Sequence, residues 1–244
     1  MTKTEKEFKK ERKENIALQG KDKKAWDLAR GFLTTTFPYK HSYNFDWLGR
    51  PIIQYPHDIV AMQELIWKVK PNLIIETGIA HGGSLVFYAS MLELLGKGKI
   101  LGIDIEIRPH NRRALEAHPF FKRIRLIEGS STDEKVLQLV ERIAKKHKTI
   151  LVVLDSLHTH DHVLQELNKY SKFVSKGSYL VVFDTFVEYF PKTTVWNRPW
   201  GKGSNPATAV FDFLKNNKNF VCDREIENKL LLTTAPGGYL KRIK

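Results

Sequence analysis

The densest run of reactive side chains is Asp155-Ser156-Leu157-His158-Thr159-His160-Asp161-His162, directly after the apolar, β-branched run Ile150 to Leu154. Histidines and aspartates crowded at a strand end can take a proton, orient a hydroxyl or hold a hard cation. Asp184 closes a second such run, Tyr179 to Phe183. If the two strands are neighbours, Asp155 and Asp184 can share one divalent ion. Magnesium suits such a pair, because it takes few carboxylates and keeps several waters. The pattern H-T-H-D-H matches neither H-E-x-x-H nor another familiar zinc or iron spacing. His160 and His162 therefore read as a solvated helix start, and His158 as the candidate general base.

A second constellation lies in Asn72 to Ser84, NLIIETGIAHGGS. Leu73, Ile74 and Ile75 form a fully apolar run that stops at Glu76 and enters a turn with Gly78, Gly82 and Gly83. Leu85, Tyr88, Leu92 and Leu95 then recur at helical spacing. Strand, glycine turn and helix make the crevice in which open α/β sheets bind ligands. The dinucleotide pattern G-x-G-x-x-G is absent, and Glu76 would repel a pyrophosphate. A ligand bearing an ammonium or sulfonium suits that charge, and S-adenosylmethionine (SAM) is one; the plainer reading is a structural turn. Ile100 to Asp104 is a further buried strand ending in an acid, the position from which a carboxylate accepts ribose hydroxyls, with Glu106 its close competitor. After Ile124 to Glu128, Ser130 is placed to touch an adenine edge, or else the serines there only cap a helix through Ser131 and Glu134.

These side chains need a sheet with its helices to position them. Asp58 reads as the cap of a helix with Ile59, Met62, Ile66 and Val69 inward, ended by Pro71. Val136, Leu137, Val140 and Ile143 make one helical face; Val163, Leu167, Tyr170 and Val174 make another, with Gly177 as its C-cap. Glu188 to Asn205 is a long loop with Trp196, Arg198, Trp200 and Lys202, of the length that lids have. Asn205 and Pro206 open the next helix. Two late strands, around Phe220 to Cys222 and Leu230 to Thr233, complete the sheet, and Pro236 to Leu240 reads as a turn with an aromatic anchor. Ahead of all this, residues up to about Gly31 form a charged, partly helical lead, frayed or used in self-association. Thr34 to Pro56 is an aromatic cap carrying Phe37, Tyr39, Tyr43, Phe45, Trp47 and Tyr55. The chain divides into a lead and cap, 1–57, and a main domain, 58–244.

With 244 residues and 42% apolar content the chain can bury one sizeable core. The single Cys222 excludes an internal disulfide, fits a reducing compartment and reads as a small buried hydrophobe. No stretch reaches the roughly 20 apolar residues of a membrane span, and the N-terminus lacks a secretory core; the expectation is a cytoplasmic protein. The net charge of +13 raises the question of nucleic acid. The excess is dispersed, however, and neither zinc-finger spacing nor an aromatic single-strand-binding motif accompanies it. A solvated basic surface is the preferred reading, with an anionic substrate or an anionic lipid surface left open.

The ordered set ETGIAHGGS, GIDIE, EGSS, LDSLHTHDHV, FDT, NPATAVFDFL and GGYLKR, with WLGRPIIQYPHDI ahead of it, resembles the cephalosporin hydroxylase / rhamnosyl O-methyltransferase family from about Tyr43 to Arg242. The resemblance implies a Rossmann-like class I SAM-dependent methyltransferase fold: a seven-stranded, mostly parallel sheet with one antiparallel strand and helices on both faces. It also implies homo-oligomers. It assigns SAM binding to Glu76, Gly78 and Ser84, with Gly82 in the same turn, Asp104 at the ribose and Ser130 near the adenine. It implies a magnesium site at Asp155 and at a Glu-Asp pair closing the fifth strand. Here that pair reads Phe183-Asp184, so Asp184 keeps its place behind a ring that cannot ligate. Either the cation holds more water, with His158 or Glu188 helping, or no metal binds.

The expected activity is methyl transfer from SAM to a hydroxyl of a sugar or other small polar acceptor. His158 is the base, with Asp155 and Asp184 as metal ligands or acceptor orienters; the cap and the Trp196 to Lys202 loop supply acceptor specificity. Two other readings compete. An oxygen-dependent hydroxylase would need a redox centre, for which the sequence has no facial-triad or haem motif. A non-catalytic SAM-binding or nucleic-acid-associated module is the other, with Phe183 its best support.

Overall fold

The computed structural model describes residues 3–191 and 197–244. Trp196, expected in the specificity loop, lies outside the described residues. The sheet is built from β3 (Leu73–Thr77), β4 (Lys99–Asp104), β5 (Ile124–Glu128), β6 (Ile150–Leu154), β7 (Tyr179–Val182), β8 (Phe220–Cys222) and β9 (Tyr239–Arg242). Their order is β5-β4-β3-β6-β7-β9-β8, parallel throughout except that β9 runs antiparallel between β7 and β8. Every residue of β3 and β6 is buried, which is why these strands read as unbroken apolar runs rather than alternating ones.

Side-chain alternation divides the core in two. On one face Ile74, Leu151, Val153, Val181 and Phe183 pack with α3 (Pro56–Val69), α4 (Gly83–Leu94) and α5 (Pro109–Glu116). On the other, Leu73, Ile75, Val152, Leu154 and Val182 meet α6 (Glu134–Ala144), α7 (His160–Tyr170) and α8 (Pro206–Asn216). Each fully buried Leu, Ile or Val contributes roughly 1.5–3 kcal/mol of transfer free energy. The order of connection reverses between β3 and β6, so their carboxyl ends diverge into the crevice where such sheets bind ligands.

Ahead of the sheet, α1 (Glu5–Gln19) and α2 (Lys23–Thr36) lead into short 3-10 turns and a hairpin of β1 (Asp46–Trp47) and β2 (Arg50–Pro51). The α1 helix buries none of its residues, and Gln19 ties its end to the carbonyls of Asn228 and Lys229. The aromatic residues expected to form a cap divide between two clusters and the surface. Phe45 and Trp47 pack on the main core, and Phe37 and Tyr55 join Leu33, Phe186, Val187 and Phe190 in a separate cluster. Tyr39 and Tyr43 are exposed.

Local expectations failed at five places. Leu230 to Thr233 is not a strand: α9 (Arg224–Leu230) precedes it, and Thr233 and Thr234 turn inward to donate to Asp58. The last strand is β9, so Tyr239 opens a strand instead of anchoring a turn. Asp58 caps nothing. It is buried within the first turn of α3, where Tyr55 is the N-cap, and it also accepts from the Tyr239 hydroxyl at 2.8 Å. The cap of α6 is Asp133, which accepts from Lys135 and Val136, leaving Ser131 and Glu134 without a capping box. Helix α7 stops at Tyr170, and Gly177 sits in the turn before β7, donating to the Arg242 carbonyl. By contrast Asn205 and Pro206 do open α8, through a capping box with Thr208.

Candidate active site

Gly78 is fixed by two demands at once. Its φ of +87° is left-handed, and a Cβ there would lie 2.0 Å from the Asp155 carbonyl oxygen. The tips of β3 and β6 can approach this closely only with glycine at that position. Gly82, at φ +83°, begins α4 as an N-cap without a side-chain hydrogen bond. The turn between is held from outside by Arg50, which donates to the His81 carbonyl and to Asn111.

Glu76 is fully buried on the α4 side of the sheet, and Ser84 donates to its Oε2 at 2.8 Å. Burial is the largest influence on its carboxyl and pushes the pKa from 4.5 up to about 8; hydrogen bonds from Ser84 and Tyr88 oppose this, and nearby Asp104 adds a little. Asp104 emerges from β4 half-buried. Its Oδ2 accepts from the backbone N–H of Ile79 at 2.7 Å, which clamps it against the glycine turn and leaves further lone pairs for a ligand. Ser130 is half-buried and bonded to Thr132 at 3.1 Å. Glu76, Gly78, Gly82, Ser84 and Asp104 thus surround one turn, and Ser130 lies on the adjoining loop after β5.

The second constellation also assembles. Ligand atoms of Asp155, His158 and Asp184 all lie within 4.8 Å of one another. His158 Nε2 is 3.1 Å from Asp184 Oδ2, and its ring meets Trp200 edge-on at 5.0 Å between centroids. Burial, then Asp184 and Glu76, drive the Asp155 carboxyl well above the usual carboxylate range. That is negative charge gathered in a small, half-buried volume, which a divalent cation relieves. The two hard carboxylates fit magnesium with water completing its shell, and the imidazole stands beside them. Phe183 points away from this group into the core, 2% exposed, on the face shared with Val153 and Tyr239. Glu188 stands outside the group, because its Oε2 accepts from Gly203 and Asn205 and fastens the loop ahead of α8.

His160 and His162 are not a solvated helix start. His160 Nδ1 is 2.8 Å from Thr208 Oγ1, and His162 Nε2 is 3.1 Å from Ser156 Oγ and 3.3 Å from Ser131 Oγ. Ser156 also donates to Glu166, which is fully buried on α7. This network ties the loop after β5 to the loop after β6, and Glu166 gave no signal because a mid-helix acid reads as a solvated face. Cys222 is half-buried, its thiol pushed by burial to about 11, which fits the inert role expected of it. Among the described residues no helix is long and apolar enough to cross a membrane.

This strand order, with its single antiparallel strand and acids at successive strand tips, defines the class I SAM-dependent methyltransferase fold. A profile of the Rhamnosyl O-methyltransferase/CmcI family matches residues 39–243. The chain belongs to that family. It is 31% identical over 191 residues to a rhamnosyl O-methyltransferase of Mycobacterium tuberculosis, covering 76% of this chain and 73% of the relative. The Mycobacterium leprae counterpart is 27% identical over 199 residues, covering 80% and 82%. In fold the chain is similar to CmcI solved with Mg and SAM, at a TM-score of 0.60 with 16% identity over 83% of this chain and 78% of the other.

Proposed function

We propose that the protein transfers a methyl group from SAM to a hydroxyl oxygen of a sugar. The observation that carries this is the placement of an imidazole–carboxylate pair, His158 and Asp184, at the strand tips next to the acid-lined crevice of Glu76 and Asp104. Glu76 faces the cationic part of the donor, Asp104 accepts from the ribose hydroxyls, and Ser130 lies at the adenine. Gly78 and Gly82 let backbone approach, and Ser84 keeps Glu76 aimed. SAM supplies a methyl already activated on sulfur, so the protein must align the acceptor oxygen, exclude water and remove a proton.

With Nε2–H of His158 donating to Asp184, Nδ1 is the nitrogen left to take the hydroxyl proton, and Asp184 stabilises the imidazolium that results. Asp155 and Asp184 would hold magnesium beside His158; when bound, the ion lowers the pKa of a coordinated hydroxyl. The aromatic cap within 1–57, with Trp200 and Arg198, shapes the acceptor side, where sugar faces stack on rings. A homo-oligomer and a cytoplasmic location, in keeping with the lone Cys222, complete the reading.

The direct test is transfer of labelled methyl from SAM to rhamnose-containing glycosides, with and without magnesium. Transfer that requires added magnesium and stops with chelator is expected. Absence of transfer to every hydroxylated acceptor, despite SAM binding, would leave a non-catalytic module. An Asp104→Ala variant is expected to bind SAM at least tenfold more weakly, since two charge-assisted hydrogen bonds of about 1.5–3 kcal/mol each are lost. Undiminished affinity in calorimetry removes the ribose assignment.

A further inference from the structure

Asp184 holds a backbone conformation uncommon outside glycine. Its φ of +57° is left-handed, and in a residue with a Cβ that persists only where neighbouring contacts impose it. β7 ends at Val182, and a 3-10 turn, Thr185–Tyr189, begins directly after Asp184. The aim of the carboxylate at His158 therefore depends on how the residues on either side are held.

Both sides are held by one short segment. β9 is the antiparallel strand beside β7, so the turn that leads into it, Thr233 to Gly238, arrives at the tip from which Asp184 emerges. Before Asp184, the N–H of Val182 donates to the Gly238 carbonyl at 2.9 Å. After it, the N–H of Phe186 donates to the Thr234 carbonyl at 3.2 Å, and the Thr185 hydroxyl to the Pro236 carbonyl at 2.8 Å. A Cβ at Gly238 would lie 2.1 Å from the Val182 carbonyl oxygen, so the turn and β7 approach this closely only with glycine there. Two buried carboxylates anchor the segment in turn. Asp58 accepts from the Thr234 N–H at 2.9 Å, and Glu227 from the Gly237 N–H at 2.6 Å. Of the ties flanking Asp184, the Thr185 bond is the one made by a side chain, and Thr185 is fully buried.

Resting on the reading of His158 and Asp184 above, we propose that Thr185 is a positioning residue for methyl transfer. Its hydroxyl fastens the start of the 3-10 turn to the segment ahead of β9. That keeps Asp184 left-handed, with its carboxylate on the imidazole. Being buried, Thr185 acts through Asp184 and not on a ligand.

The test is a double-substitution cycle on the full chain, with labelled SAM and a rhamnose-containing glycoside. Thr185→Val removes the hydroxyl and keeps the shape. It is expected to lower kcat about tenfold or more, as a misaimed catalytic group does, with the KM for SAM changed less than about twofold. Thr185→Ser keeps the hydroxyl and should stay within about threefold of wild type. In a His158→Ala chain the same Thr185→Val change should cost less than about twofold, because the group it aims is gone. Equal losses in both backgrounds, or wild-type kcat in Thr185→Val, overturn the proposal. Thr185→Ala serves if the valine variant folds poorly. Nitrogen-15 spectra of the ligand-free chain give a readout that needs no turnover. The Nε2–H tautomer of His158 should stand alone in the wild type and mix with Nδ1–H in Thr185→Val; an unchanged tautomer also overturns the proposal. Failure of the parent reading looks different: His158→Ala keeps full kcat, or the wild type transfers no methyl. The spectra then decide whether Thr185 aims Asp184.

Discussion

Replacing His158 with alanine is expected to lower kcat for methyl transfer by about 10²–10⁴-fold, the range for losing a positioned general base, while changing SAM affinity less than twofold. The separation follows from the structure. His158 contacts Asp184 and Trp200 at the β6 and β7 ends of the crevice, whereas Glu76 and Asp104 are held by Ser84 and by the Ile79 backbone. A lost base also leaves a pH signature: activity in the variant should rise with hydroxide where the wild type levels off. Because the Trp200 ring rests on the imidazole edge, loop ordering is part of the geometry, and His158→Gln, which fills more of the space, separates packing from proton transfer. If both variants retain wild-type kcat, His158 is not the base. If SAM affinity collapses instead, it belongs to the donor site.

The second large effect concerns Glu76→Gln. The native carboxyl has a folded pKa of about 8 against an ordinary 4.5, so the folded chain binds more protons than the unfolded one between those values. Stability therefore falls as pH rises through that window and flattens above it. The full cost above pH 8 is on the order of a few kcal/mol. The glutamine variant should lose this slope and, without ligand, should melt above the wild type at pH 8.5. Donor binding should move the opposite way. A cation beside Glu76 expels its proton, so wild-type affinity for SAM should strengthen by up to about tenfold per unit between pH 6 and 8. The variant should bind at least thirtyfold more weakly, as expected when one partner of a buried charge pair is removed, and show no such slope. Melting curves and titrations at three pH values decide it; an equal pH slope of affinity in both proteins would assign the linkage to another group.

Much of this arrangement was legible before any coordinates. Strands β3, β4, β6 and β7 announced themselves because burial on both faces forces uninterrupted apolar runs, and the acids at or just beyond their ends stood out by contrast. The last strand did not. Leu230 to Thr233 has strand-like composition, but its backbone is drawn inward by Asp58, while Tyr239–Arg242 ends in two charges and still lies between β7 and β8. The reactive residues after β6 were visible as a cluster, but not their division of labour. Side-chain direction sent His158 toward Asp184, and His160 and His162 into supporting bonds with Thr208 and Ser156.

Asp58 adds a constraint on timing. Its donors Thr233, Thr234 and Tyr239 stand 175 to 181 residues further along the chain. A ribosome needs roughly ten to thirty seconds to make that stretch. For all that time the carboxylate is without its partners, and α3 has only its apolar face to hold it. The last bonds that seat α3 therefore form only when the strand bearing Tyr239 arrives.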